Sequence, residues 1–139
     1  MNSQRINSRA KGARAERRWR DELRAQGFSA RRGQQFSGSA DSPDVVCDQL
    51  SWLHFEVKAV ERLNIWDAHD QAARDARVKP FVIAHTKNFR PWLVTMTAET
   101  FFQFLRGTLP PEGTCVPANA LVREESKTNN NQTQKEQIV

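Results

Sequence analysis

Hydrophobic residues recur at helical spacing in the first part of the chain. Ala15, Trp19 and Leu23 lie four positions apart, which predicts a helix over about residues 8–26 with one apolar stripe facing a core. Glu16 lies beside that stripe, three positions before Trp19 and seven before Leu23. We therefore expect a carboxylate at the boundary of the core, where it needs a partner.

A strict alternation of apolar and polar residues follows at 52–60 and predicts a strand. One face of this strand carries Leu53, Phe55, Val57 and Ala59. The other face carries Trp52, His54, Glu56, Lys58 and Val60. Shorter strands are predicted at about 28–32 and 44–48, and we expect the turn at 49–51 to join 44–48 and 52–60 as a hairpin.

The second half of the chain predicts a helix at 65–77, strands at 81–85 and 92–96, and a last helix. Thr97 is suited to cap that helix and Gly107 to close it. We expect the large aromatic side chains of both helices to lie in the core, namely Trp66, Phe101, Phe102 and Phe104. The order of elements indicates an α/β fold with a mixed central sheet flanked by helices.

The length of 139 residues suits one domain with one core, and we assign it to residues 1–109. Residues 110–139 contain few apolar side chains and are predicted to be a disordered tail. No stretch approaches the roughly 18 apolar residues that a membrane span needs, so we expect a cytoplasmic protein without a membrane partner. Cys47 and Cys115 have no second Cys or His at metal-ligand spacing, which argues against a zinc site.

Positive charge is concentrated at the start of the chain. Residues 1–40 hold ten Lys and Arg against three acids, a balance of +7, whereas the whole chain carries +5. Such a distribution favours contact with a phosphate backbone, although a solvated helix face explains the charge alone equally well. The candidate DNA-binding residues are Lys11, Arg14, Arg17, Arg18, Arg31, Arg32 and Ser39.

An acidic pair with a lysine forms the candidate catalytic group. Asp44 begins one predicted strand, and Glu56 and Lys58 share a face of the next, twelve residues later. Two close carboxylates repel each other, and capture of a hard cation such as Mg²⁺ relieves that repulsion. A bound Mg²⁺ would lower the pKa of a water and neutralise charge on a phosphate, and Lys58 could orient that water or stabilise the leaving oxygen.

Pro43-Asp44 followed by Glu56-Val57-Lys58 resembles the signature of the PD-(D/E)xK nuclease superfamily. With a helix carrying Lys11-Gly12 and Glu16 before it, and a loop ending in Ser42-Pro43-Asp44, the chain is most similar to the archaeal-type Holliday-junction resolvases. The resemblance covers about residues 8–105. It implies a restriction-endonuclease-like core of order αβββαβ and a magnesium-dependent endonuclease that hydrolyses phosphodiester bonds in four-way junctions, in DNA recombination and repair.

The same resemblance implies roles for individual residues. Asp44 and Glu56 would bind Mg²⁺, for which Mn²⁺ is expected to substitute, and Lys58 would position or activate the attacking water. Glu16 matches a first-helix glutamate that helps to bind metal and water. One of the loop serines Ser37, Ser39 and Ser42 would contribute, with Ser39 preferred, and Gln71 matches a polar position near the site. The family also implies a homodimer.

Other interpretations remain open from the residues themselves. Glu16 could pair with Arg20, Asp44 could cap the turn after Pro43, and Lys58 could be an edge-strand charge. His54 favours a packing or hydrogen-bonding role. The chain as a whole could be a less selective nicking or restriction-type endonuclease, or a catalytically silent module that binds DNA through its basic half.

Overall fold

The computed structural model describes residues 8–33 and 44–112. The helices are α1 (Ser8–Ala25), α2 (Ile65–Ala76) and α3 (Ala98–Arg106). The strands are β1 (Ala30–Arg32), β2 (Val45–Cys47), β3 (His54–Ala59), β4 (Phe81–Thr86) and β5 (Leu93–Thr95). The predicted order of elements is confirmed. Most of the predicted tail lies outside the described residues, as do Ser37, Ser39, Ser42 and Pro43.

The strands form two sheets, and the predicted hairpin between β2 and β3 is wrong. β2 instead pairs antiparallel with β1, with Arg32 opposite Val45. β3 pairs parallel with β4, and β4 pairs antiparallel with β5, which gives a three-stranded mixed sheet of order β3-β4-β5. A 3₁₀ helix, Asp48–Leu50, takes the place of the expected tight turn, so β2 does not fold back into register with β3.

Helices cover both faces of the three-stranded sheet. On the first face, Ala15, Leu23, Phe55, Val57 and Val82 belong to one buried cluster that Trp19 packs against, so the predicted stripe of α1 is confirmed. On the second face, α2 contributes Ala68 and Ala72, which pack with Ile83. The predicted alternation of β3 is therefore confirmed on its apolar side. The result is a mixed α/β fold with its sheet between α1 and α2.

Local chemistry explains where the last two helices begin and end. The Asn64 side chain accepts hydrogen bonds from two N–H groups in the first turn of α2. The Thr97 side chain accepts one from Thr100 at the start of α3, and Gly107 ends that helix in the left-handed conformation with φ of 70°. The two caps predicted for α3 are confirmed.

The expectation that the large aromatics of α2 and α3 lie in the core is wrong. Trp66 is 73% exposed, and three other aromatic side chains are partly exposed on α3, namely Phe101, Phe102 and Phe104. On α3 the cause is that, among the described residues, this helix packs only lightly against the other helices and strands: Thr100 is its buried residue, and Phe104 meets the Trp52 ring. None of the described helices is both long enough and apolar enough to span a bilayer.

Candidate metal and catalytic site

The polar face of β3 is where the candidate catalytic residues meet. His54 and Glu56 are buried, at 6% and 1% exposure, and Lys58 is half-buried. Alternation along the strand directs all three side chains to the side that α2 covers. Burial of a charged group costs free energy unless the group has a partner. The partners of each residue therefore show which of these charges are compensated within the protein.

Asp44 lies at the edge of β3, immediately before β2. Its Oδ2 accepts the Val57 N–H at 3.0 Å, and its carbonyl accepts the Gly33 N–H at 3.0 Å. The carboxylate therefore accepts a hydrogen bond from a backbone N–H at the edge of β3, where a neighbouring strand would otherwise pair. Of the alternatives, a simple cap of the turn after Pro43 does not account for this contact with β3.

The surroundings of Asp44 disfavour its ionised form. Burial, together with the charges of Glu56 and Glu16, raises the pKa of Asp44 from 3.8 to about 6. The Val57 N–H and the Lys58 ammonium act in the opposite direction without cancelling the rise. An ionised Asp44 therefore lacks enough positive charge among the described residues.

Glu56 is held by the side chains on either side of it along the strand. The Lys58 Nζ lies 2.9 Å from Glu56 Oε1, and the His54 Nε2 lies 3.8 Å from Glu56 Oε2. Burial acts to raise the pKa of Glu56, but the neighbouring His54 and Lys58 outweigh it and lower the pKa. The Lys58 contact lacks the angles of a hydrogen bond, so Glu56 Oε1 is buried without one.

The position of Lys58 is fixed by two contacts. Its Nζ donates to Gln71 Oε1 at 2.9 Å, in addition to its ion pair with Glu56. Gln71 belongs to α2, and this hydrogen bond places its side chain beside Lys58. Lys58 is therefore a held ammonium rather than a mobile edge-strand charge.

Glu16 is buried beside the site, at 8% exposure, and its partner is Arg32 rather than Arg20. Arg20 instead pairs with its neighbour Asp21. Arg32 extends from β1, next to the start of β2, and its Nε donates to Glu16 Oε2. The Glu16 charge still reaches Asp44, whose pKa it helps to raise. Glu16 thus lies beside the acidic pair, and its carboxylate forms an ion pair with Arg32.

The other candidate DNA-binding residues divide into two groups. Those on α1 are exposed, namely Lys11, Arg14, Arg17 and Arg18. Arg18 lies over the Trp92 ring at 5.5 Å, a cation–π distance. Arg31 is exposed and paired with Asp48, whereas Arg32 is committed to Glu16. The exposed positive side chains of α1 remain the candidate phosphate-binding surface, and Ser39 lies outside the described residues.

The donor chemistry of Asp44 and Glu56 fits a hard divalent cation. Within residues 8–33 and 44–112, no three or more His, Cys, Asp or Glu side chains are grouped closely enough to hold a metal ion. Mg²⁺ needs fewer protein ligands than that, because it keeps several waters and binds through one or two carboxylates together with substrate phosphates. Asp44 and Glu56, which lie close enough for the charge of Glu56 to raise the pKa of Asp44, supply carboxylate oxygens of the required kind.

Two contributions to this site escaped the reasoning from sequence. Arg32 follows Ala30 by two positions, and that alternation could have placed its side chain on the inner face of β1 with the buried Ala30. His54 precedes Glu56 by two positions and therefore shares its face, but nothing in the sequence distinguished it from an ordinary packing histidine. Each residue lies against an acid of the site: Arg32 pairs with Glu16, and the His54 ring lies 3.8 Å from Glu56.

Comparison with known proteins adds no further support for an identity. A scan against protein-family models, a search of curated proteins and a search of solved structures each gave no match to this chain.

Proposed function

We propose that the chain is a metal-dependent DNA endonuclease with a restriction-endonuclease-like core, and that it hydrolyses phosphodiester bonds in branched DNA such as a four-way junction. The observation that carries the proposal is the proximity of the Asp44 and Glu56 carboxylates, which helps to raise the pKa of Asp44, beside a held Lys58. An acid pair of this kind gains from a cation, and a cation next to a fixed ammonium suits phosphoryl chemistry. The motif resemblance supplies the substrate class.

Each residue of the site has a distinct task in this proposal. Asp44 and Glu56 hold Mg²⁺, with Mn²⁺ as a substitute, and when bound the ion lowers the pKa of a water and offsets charge on the phosphate. Lys58, fixed by Gln71, orients the attacking water or stabilises the leaving oxygen. Glu16 is the fourth member, acting from beside Asp44 while Arg32 holds its carboxylate.

Helix α1 connects the site to the DNA backbone. Its buried side carries Glu16, and its outer side carries Lys11, Arg14 and Arg17, all exposed. A substrate held along the outer side by its phosphates would be gripped with little sequence preference and with strong dependence on salt. We expect a protein with this substrate in the cytoplasm.

A homodimer belongs to the proposal because resolving a four-way junction requires two symmetric cuts. The exposed apolar side chains of α3 are compatible with an interface between two copies, since surfaces of this kind are rarely left open to water. Light scattering on the intact chain tests this part directly. A mass corresponding to two chains is expected, and a monomer at micromolar concentration in the presence of junction DNA would contradict it.

The test of the activity is cleavage of a labelled four-way junction, compared with a linear duplex and a single strand of matched sequence. Each substrate is incubated with Mg²⁺, with EDTA and with an Asp44→Asn variant. Paired, Mg²⁺-dependent cuts confined to the junction, and lost in the variant, are expected. Equal cutting of the duplex would replace the resolvase with a less selective endonuclease, and tight binding without cutting would replace it with a silent DNA-binding module.

A further inference from the structure

His54 is a buried histidine whose Nε2 has no hydrogen-bond partner among the described residues. Its side chain is 6% exposed, so water does not satisfy that nitrogen at the surface. A buried polar atom left unpaired costs about 1–3 kcal/mol. Such an atom in a native fold calls for an explanation.

The nearest charged group to the unpaired nitrogen is the carboxylate of Glu56. His54 Nε2 lies 3.8 Å from Glu56 Oε2, just beyond hydrogen-bond distance, while Lys58 lies 2.9 Å from the other oxygen. The carboxylate thus has a neighbouring side chain on each side along the strand, with His54 near one oxygen and Lys58 near the other. A small rotation of either side chain would bring an imidazole N–H onto Oε2 and would fix the plane of the carboxylate.

The surroundings leave the imidazole room for that rotation. His54 lines a cavity of about 290 Å³ between β2, the start of β3 and the end of α2. Asp44, Glu56 and Lys58 do not line this cavity. His54 therefore has open space beside it as well as the Glu56 carboxylate.

We propose that His54 is a positioning residue that orients the Glu56 carboxylate for cation binding, by donating a ring N–H to Oε2 when the ion is bound. The inference rests on the proposed function, because it requires Glu56 to be a ligand. Outer partners of metal-binding carboxylates generally fix the orientation of the ligand, and their loss lowers metal affinity about 10–100-fold. His54 touches neither the ion nor the DNA in this assignment.

The test measures Mn²⁺ binding by calorimetry, without DNA, for the wild type, His54→Leu and His54→Gln. Leu keeps the volume and removes the donor, so its affinity is expected to fall about 10–100-fold. Gln restores an N–H donor and is expected to bind within a few-fold of the wild type. His69→Leu is the matched control, because the His69 ring is paired with Asp70 rather than with a site carboxylate, and it should bind like the wild type.

Thermal unfolding in EDTA separates positioning from packing. Since His54→Leu removes an unpaired buried nitrogen, its melting temperature without metal should equal or exceed that of the wild type. A lower melting temperature combined with equal loss of Mn²⁺ affinity in both His54 variants would overturn the inference in favour of packing. Wild-type affinity in both variants would also overturn it, whereas no Mn²⁺ binding by the wild type would overturn the proposed function itself.

Discussion

The two faces of β3 differ in what they bury: one packs apolar side chains into the core, and the other carries the polar side chains of the candidate site. On one face, Phe55 and Val57 are buried among apolar side chains of α1 and β4, including Trp19, whose ring centroid lies 5.9 Å from that of Phe55. On the other, His54 and Glu56 are buried just as deeply, but they carry an unpaired nitrogen and an ion-paired carboxylate. Burial stabilises the first face and costs free energy on the second. Residues kept at such a cost indicate a site.

The largest expected effect is on the polar face. Asp44→Asn should lower the rate of DNA cleavage on the order of 10³-fold, since the charge stabilisation supplied by a metal is worth several kcal/mol and each 1.36 kcal/mol is tenfold. The amide oxygen can still accept the Val57 N–H, so the fold should remain intact. Single-turnover cleavage of junction DNA at saturating enzyme measures the change.

Asp48→Asn is the matched control for that experiment. Asp48 follows the other end of β2, is exposed, and makes a surface ion pair with Arg31 worth about 0–1 kcal/mol. Its substitution should leave the cleavage rate within about two-fold, a change of less than 1 kcal/mol. Equal losses in the Asp44 and Asp48 variants would mean that the acids of β2 act through general electrostatics and not as a site.

On the apolar face, Phe55→Ala should destabilise the fold by about 3–5 kcal/mol through lost burial and the cavity left behind. Chemical denaturation followed by Trp fluorescence measures the change in free energy of unfolding. Phe101→Ala, on the exposed surface of α3, should shift it by no more than about 0.5 kcal/mol in the monomer. Similar losses in the two variants would show that α3 is covered in solution.

An effect of intermediate size is expected on the polar face, where the free energy of unfolding should depend on pH through Asp44. The pKa of Asp44 is raised from 3.8 to about 6, so folding favours its neutral form. Its stabilising contribution is therefore complete below pH 3.8 and is lost as the pH rises through about 6. A shift of about two units corresponds to about 3 kcal/mol at most.

Comparison of the wild type with Asp44→Asn measures that contribution together with the release of Glu56 and Glu16 from the Asp44 charge. In EDTA, the variant should become more stable than the wild type by up to about 3 kcal/mol between pH 4 and pH 7. Added Mg²⁺ should remove this advantage by stabilising only the wild type. A constant difference across the pH range would contradict the raised pKa of Asp44.

The smallest effect is expected at the outer side of α1. Arg17→Gln should weaken DNA binding about equally for all sequences and should lower the slope of log affinity against log salt by about one. Arg106→Gln removes the same charge from the end of α3 and should leave the slope unchanged. Fluorescence anisotropy at several salt concentrations measures both, and equal slopes for the two variants would argue against α1 as the DNA-binding surface.

Features governed by local sequence were predictable, and those governed by long-range pairing were not. The alternation of β3 correctly placed Glu56 and Lys58 together, and Thr97 and Gly107 correctly bounded α3, because each depends on residues close in sequence. The predicted partner of β2 was wrong, since pairing with β1 joins residues that are far apart in sequence, such as Arg32 and Val45. Asp44 also takes the Val57 N–H on the β3 edge, which no periodicity reveals.

The same distinction explains the candidate site. Its acids and lysine could be named from spacing and from their resemblance to a nuclease motif. The ion pair between Glu16 and Arg32 could not be predicted, because it joins α1 to β1 across sixteen residues. This pair also removes Arg32 from the exposed basic surface. The exposure of Trp66 was also unexpected, since its apolar character predicted burial and only the packing of α2 decides which side faces the sheet.

The central claim is that Asp44 and Glu56 together hold a divalent cation. Anomalous diffraction from a crystal of the intact chain soaked in Mn²⁺ tests it most directly, with an Asp44→Asn crystal treated in parallel. We expect one strong peak at bonding distance, about 2.0–2.6 Å for hard divalent cations, from an oxygen of each carboxylate, and no such peak in the variant. A peak that contacts neither residue, or an equal peak in the variant, would contradict it.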